Sequence, residues 1–359
     1  MLVAGVALCG CTQATQQTPD WLVCKQGGVD QASLERRAQA CSALIHGEAS
    51  RAEDLALAYR LHGEALRLSG APDSALQEED RAIGLNAADP LAYDERGMDE
   101  LSLRRLDAAA ADFGTAIRLD PRGAVGFDGR GAIERMRGDL AGAFRDADRA
   151  IELKPDWADP WGQRGLAYLA NRRFDMALAD FAQALRIDAT QAFAIEGAAA
   201  AEAAKGDIKA ATADYGRAQE VHIERRQYPA AIAVANKMVA LAPNDPDALN
   251  ARCWARAIAD TDLDAALADC QQSLKLRPGS AEVLDSRAFV AFRQGRWRAA
   301  IQDYSAALAK NPKLSSSLYM RGVAKMRAGD SADGQADVNA ATSADSDIAD
   351  QYASYGVTP

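Results

Sequence analysis

The sequence predicts an all-α solenoid of antiparallel helix pairs, and three observations predict it. The first is self-similarity. Ala75, Ala109, Ala143, Ala177 and Ala211 follow one another at steps of 34 residues. Ala82, Ala116, Ala150, Ala184 and Ala218 form a second ladder with the same step, and Gly63, Gly97, Gly131, Gly165 and Ala199 a third. Three registers sharing one period are the signature of a repeat array, in which each unit is too small to bury its apolar face alone. The second observation is composition: the hydrophobic share is 48%, much of it alanine, while aromatic residues are 6%, which favours helix over an ordinary sheet-rich core. The third is punctuation. Pro121 and Pro155 stand one period apart, after Leu-Asp and Leu-Lys, where proline stops a helix.

The elements follow in order. Leu2 to Leu8 is a short apolar run, followed by Cys9-Gly10-Cys11-Thr12 and a polar, glutamine-rich segment. Leu8-Cys9-Gly10-Cys11 resembles the lipobox of bacterial lipoproteins, so residues 1–19 are expected to be a lipoprotein-like signal and linker, with Cys11 as the lipidated anchor. No basic residue precedes the run, as one normally does in a signal peptide, and the alternative is an apolar tail. Residues 20–51 read as a degenerate N-terminal helical repeat. An array is expected over 52–225, with clean repeats near 56–89, 90–123, 124–157, 158–191 and 192–225. The register then slips. YPAAIAVANKMVALAP ends at Pro243, only part of a repeat later, which predicts an irregular partial repeat over 226–246 with an irregularity or hinge at about 222–230. Ala266, Ala300 and Gly334 resume the period, with Ala307 and Ala341 alongside, and define a second array over 247–348. Residues 349–359 are expected to form a capping helix and tail, because the end of a solenoid must cover its last apolar face.

Within a repeat, small residues such as Gly97 and Ala109 are expected where the two helices approach most closely, with bulky ones such as Tyr93 and Phe113 filling the remaining space. Arg164-Gly165 with Tyr168, Ala177, Phe181 and Ala184 repeats the arrangement. In period and signature positions this resembles the tetratricopeptide repeat, and the resemblance covers about nine-tenths of the chain. It implies a right-handed superhelix without β-sheet whose concave face is lined by first-helix positions. Carried onto this chain, those are Leu91, Asp94, Met98 and Leu101, then Val125, Asp128, Arg135 and Met136, then Gly162, Leu166 and Leu169, and finally Asp285, Phe289, Phe292, Arg293, Tyr319 and Met326. Apolar residues interleaved with charge suit an extended peptide or a helix laid in a groove. The lysine and asparagine pattern with which some relatives clamp acidic chaperone tails is absent at these positions.

Two cysteine pairs, Cys24 with Cys41 and Cys253 with Cys270, share a spacing of 17 residues. Cys41 and Cys270 occupy the same second-helix slot of the resembled repeat, and each partner falls near the close-approach position of the facing helix. That predicts two disulfides, which persist in an oxidising compartment; the alternative is four buried thiols.

The net charge of −10 argues against nucleic acid as a partner. Beyond residue 12 no apolar run is long enough to span a bilayer, so the membrane enters only through the N-terminal anchor. There is no GxxxxGK[ST], HExxH, GxSxG or GxGxxG, and His46, His62 and His222 are scattered over different repeats. No metal site and no cofactor is expected. The sequence therefore reads as a non-catalytic scaffold that binds peptide or helical segments of other proteins, in the periplasm. Two alternatives stay open, a non-catalytic subunit of an envelope enzyme complex and a cytoplasmic adaptor.

Overall fold

The computed structural model describes residues 18–28, 30–47 and 51–359. Among them are twenty α-helices and no strand, and they divide into two compact units, the first ending at Ala167 and the second beginning at Tyr168.

Unit 1 opens with α1 (Pro19–Lys25) and α2 (Gln31–His46). Three pairs follow: α3 (Ala52–Leu68) with α4 (Pro72–Leu85), α5 (Pro90–Ser102) with α6 (Leu106–Leu119), and α7 (Ala124–Arg137) with α8 (Leu140–Leu153). The start of α9 (Ala158–Ala170) completes the unit. Local chemistry sets the boundaries. The Asp89 side chain accepts from the Leu91 backbone N–H at the start of α5, with Pro90 in the first turn, where a missing N–H costs nothing. Between the helices of a pair the chain passes through a left-handed residue at one fixed repeat position. Gly70 and Gly138 hold it with φ of 83° and 84°, and Arg104 with φ of 62°. A side chain in that region costs about 1–2 kcal/mol, so the arginine turn is the more strained of the two kinds.

Packing follows the small-residue ladders. Ala75, Ala109 and Ala143 are buried, and a methyl added at Gly131 would meet Asp146 Cβ at 3.2 Å and the Ala143 carbonyl at 3.4 Å. Phe113 fills the space that two glycines leave: a Cβ at Gly97 would come within 2.9 Å of its ring, and one at Gly129 within 2.3 Å. A second tie, unread in the sequence, joins the two helices of a pair. Arg96 grips both oxygens of Asp112 at 2.8 and 2.6 Å, and Arg130 those of Asp146 at 2.6 and 2.9 Å. Such forked contacts fix geometry more than they add stability.

Unit 2 continues with α10 (Phe174–Ile187), α11 (Ala192–Lys205), α12 (Ile208–Glu224) and α13 (Tyr228–Leu241). The regular pairs α14 (Pro246–Ile258) with α15 (Leu263–Leu276), α16 (Ala281–Arg293) with α17 (Trp297–Lys310), and α18 (Ser315–Arg327) with α19 (Ser331–Ala344) come next, and α20 (Ile348–Ser354) ends the chain. The sequence slip has a plain cause. Helix α12 runs 17 residues where α10 runs 14, and α13 is a full helix that packs against it, so three helices stand where the repeat would supply two. The arginine tie recurs from Arg252 to Asp269, Arg287 to Asp303 and Arg321 to Asp337.

Both expected disulfides are present. Cys24–Cys41 joins α1 to α2 with a Cα–Cα distance of 4.9 Å, and Cys253–Cys270 joins α14 to α15 at 5.6 Å.

Candidate functional site: the first-helix faces

In unit 1 the first helices present one stripe. Leu91, Asp94, Met98 and Leu101 recur along α5 at helical spacing, so they share a face. Leu91 is 48% exposed, Met98 and Leu101 are half-buried against Phe113 and its neighbours, and Asp94 is 5% exposed. Asp128, Arg135 and Met136 on α7 are half-buried, as is Leu166 on α9. The two acids have no hydrogen-bond or ion-pair partner among the described residues, and one oxygen of each is shut off from solvent. Burial pushes the Asp94 carboxyl up to about 7, and the charges of Glu95, Asp120 and Asp89 add to the effect. Burial likewise lifts Asp128 to about 8, with Asp159 adding. Arg135, lowered by burial, reaches Gln163 at 3.4 Å.

Deeper in the same unit, Glu79 of α4 and Asp99 of α5 are fully buried, and all four of their carboxyl oxygens lack a hydrogen-bond partner among the described residues. Burial raises both carboxyls, and the neighbouring Asp99 adds to the shift of Glu79. Glu95 is raised to about 7 by burial, against the pull of Arg60 at 2.7 Å.

The corresponding face of unit 2 is already occupied. The structure corrects the expectation of an open groove at Asp285, Phe289, Phe292 and Tyr319, all of which are buried. The chain's own C-terminal helix covers part of this face. Tyr352 of α20 lies with its ring 5.7 Å from Phe289 and 5.5 Å from Tyr319, and Tyr355 sits edge-on to Trp254 at 5.9 Å. Polar contacts fix the segment: Arg293 donates to the Tyr355 carbonyl, Tyr228 Oη donates to that of Ser354 at 3.3 Å, and Arg327 donates to that of Thr358 at 3.0 Å. Leu169 and Met326 are half-buried. The expected cap thus lies across α16 and α18 and reaches α14. The signal for this was Tyr352 on a short helix and Tyr355 just after it, matched to an aromatic face.

Unit 2 also treats its acids differently. Glu196, at the repeat position of Asp94 and Asp128, accepts from Lys237 Nζ at 2.6 Å and contacts His222 Nε2 at 3.0 Å. Burial raises it, but these two hydrogen bonds outweigh that and leave it below the ordinary value. Asp285, again at this position, is raised to about 6 by burial while accepting from Ser317 and, at 3.4 Å, Ser316.

The histidines have structural partners. His46 contacts the Ser42 carbonyl at 2.8 Å and His62 lies 3.2 Å from Glu78. Among the described residues no group of His, Cys, Asp and Glu is placed to hold a metal, and no helix is long and apolar enough to cross a membrane. Cys11 lies outside the described residues.

Tetratricopeptide-repeat family models match residues 253–327 and 158–191. No curated protein matches the chain. Similar solved structures include TTC0263, a thermophilic TPR protein of Thermus thermophilus, at 22% identity over 61% of this chain and 99% of that one, with a TM-score of 0.42. Pseudomonas aeruginosa pilF is similar at 16% identity over 67% and 99%, TM-score 0.43. MamA of Desulfovibrio magneticus RS-1 is similar at 19% over 50% and 99%, TM-score 0.39. Tetratricopeptide repeats are thus matched within residues 158–327.

Proposed function

We infer that the protein is a non-catalytic scaffold that holds segments of other proteins on the first-helix face of unit 1. The observation that carries this reading is the occupied face of unit 2. There, a seven-residue helix docks by aromatic contacts and carbonyl hydrogen bonds, so one face of this array already receives a helical segment. The unit 1 face keeps Leu91 exposed, Met98 and Met136 half-buried and two acids unpartnered, with no segment among the described residues laid over it. A benzophenone photo-crosslinker at Leu91, compared with one at the exposed Arg149 of α8, tests this in the native host. Capture of a defined partner segment at Leu91 alone is expected. Equal capture at both positions, or none at Leu91, contradicts it.

The reading extends to the bacterial periplasm, with Cys11 as a lipid anchor. Its support is the pair of disulfides, which persist where the medium is oxidising, and the lipobox-like Leu8-Cys9-Gly10-Cys11. Detergent-phase partitioning of the full chain and its Cys11→Ser variant decides the anchor: release of the variant into the aqueous phase is expected, and equal partitioning refutes it.

A further inference from the structure

Four acids in this chain occupy the fifth residue of a first helix: Asp94 of α5, Asp128 of α7, Glu196 of α11 and Asp285 of α16. The two in unit 2 are answered by donors from the chain itself. Glu196 holds an ammonium and an imidazole, and Asp285 holds two hydroxyls. The two in unit 1 are answered by nothing, although Asp94 is 5% exposed. Leaving a buried carboxylate without a donor is costly, and the charged groups acting on this pair from α5, α9 and the turns, namely Glu95, Asp89, Asp120 and Asp159, are all acidic. Arg60 pairs with Asp89 and Glu95 at 3.3 and 2.7 Å, so the chain's nearby cation is spent on the surrounding acids and none is paired with Asp94 or Asp128.

We propose that Asp94 and Asp128 are paired receptors for two cationic side chains, lysine or arginine, of a partner segment lying across α5 and α7. This rests on the reading of the unit 1 face as a docking surface. The chemistry is the one Glu196 displays with Lys237, supplied from another chain. A methyl added at Gly126 would stand 3.2 Å from Asp94 Oδ1, so α7 closes directly on Asp94 and the two acids belong to adjoining first helices. Packed helices stand about 8–10 Å apart, and in an extended segment residues three apart span about 10 Å. A partner with lysines three apart along an extended strand therefore offers one cation to each acid. Met98 and Leu101 on α5 and Met136 on α7 are half-buried and receive the apolar residues between and beyond the cations.

The test uses the full chain and a labelled, end-capped dodecapeptide with two lysines three residues apart among alanine and leucine, read by fluorescence anisotropy. Asp94→Asn and Asp128→Asn should each weaken binding about tenfold, the loss of one charge-assisted hydrogen bond, and acetylating both lysines should abolish it. Asp107→Asn and Asp148→Asn remove the same charge from exposed positions in unit 1 and should change affinity less than about twofold. Far-UV circular dichroism of all four variants should match the parent, since an unpaired buried carboxylate contributes no native contact. Equal weakening by the slot and control variants, or unchanged binding by the slot variants, overturns the proposal. The Leu91 crosslink separates the two readings. A native segment still captured when both acids are replaced by asparagine removes the cation receptors and keeps the docking face, whereas no capture even in the parent chain removes the docking face itself.

Discussion

Unit 1 and unit 2 share a repeat and diverge in what they place on its first-helix face. In unit 2 the face from α14 to α18 is aromatic, and Tyr352 and Tyr355 of the C-terminal segment fill it. In unit 1 the face carries two acids without a donor, Asp94 buried and Asp128 half-buried. Aromatic burial stabilises in proportion to area, whereas a buried acid without a donor subtracts from stability. The same scaffold thus yields one face covered by the chain's own C-terminal segment and one with two acids that have no donor among the described residues.

The largest expected effect breaks the covered face. Tyr352→Ala removes a ring buried among Phe289, Tyr319 and Tyr355 and should cost unit 2 about 3–5 kcal/mol, leaving unit 1 unchanged. Hydrogen exchange resolved by peptide reads the two units separately, and an equal loss in both would contradict their independence. Next is reduction of the disulfides. Each closes a loop of similar length in a different unit, worth roughly 3 kcal/mol on the chain-entropy estimate. Cys24→Ser with Cys41→Ser should act on α1 and α2 alone, and peptide mapping without reductant should recover the two linkages.

Titration sharpens the contrast. Asp94 ionises near 3.8 in the unfolded chain and near 7 in the folded one. Between those values the folded state holds a proton that the unfolded state has lost, so its contribution is fully present below pH 3.8 and is lost as pH rises through about 7. Asp128 extends the window to about 8. Glu196 has the opposite sign: its folded value is lowered, so its contribution is present above the ordinary value of 4.5 and fades as pH falls through the folded value. Denaturant midpoints taken from pH 4 to pH 8 should fall for unit 1, on the order of 2 kcal/mol for Asp94, and Asp94→Asn should flatten the slope. A unit 1 midpoint that rises over this range would contradict the burial argument.

Smaller effects should be common to both units because they belong to the repeat. Ala143→Leu in unit 1 and Ala177→Leu in unit 2 overpack equivalent helix contacts and should each cost about 1–3 kcal/mol. Arg104→Gly and Arg172→Gly relieve left-handed turns at φ of 62° and 57° and should each raise stability by up to about 1 kcal/mol. A melting curve that moves for one member of a pair and not the other would show that the repeat positions are not equivalent.

The repeats were legible because their determinants are local and periodic. Gly97, Ala109 and Phe113 specify one helix contact, and the same residue types return every 34 residues. The disulfides were legible for the same reason. The arginine tie was equally periodic, with Arg96, Arg130, Arg287 and Arg321 each sixteen residues before an aspartate, yet charge on a helix surface reads as solvated until its partner is seen. The covering of Phe289 and Tyr319 was not legible. It depends on a helix that comes later in the chain folding back across α16 and α18, and periodicity within a repeat says nothing of such a contact. The unanswered acids were visible as groove residues, but their lack of a donor is a property of the folded neighbourhood.

The most direct measurement of the account is hydrogen exchange of the C-terminal peptide spanning α20 in the full chain. A seven-residue helix is marginal by itself in water, so its amides are protected only if Tyr352 and Tyr355 hold it on the face. Exchange of Gln351 to Tyr355 slowed to the range of α18 is the predicted result. Exchange within seconds, at the rate of unstructured chain, would mean that the unit 2 face is as open as that of unit 1.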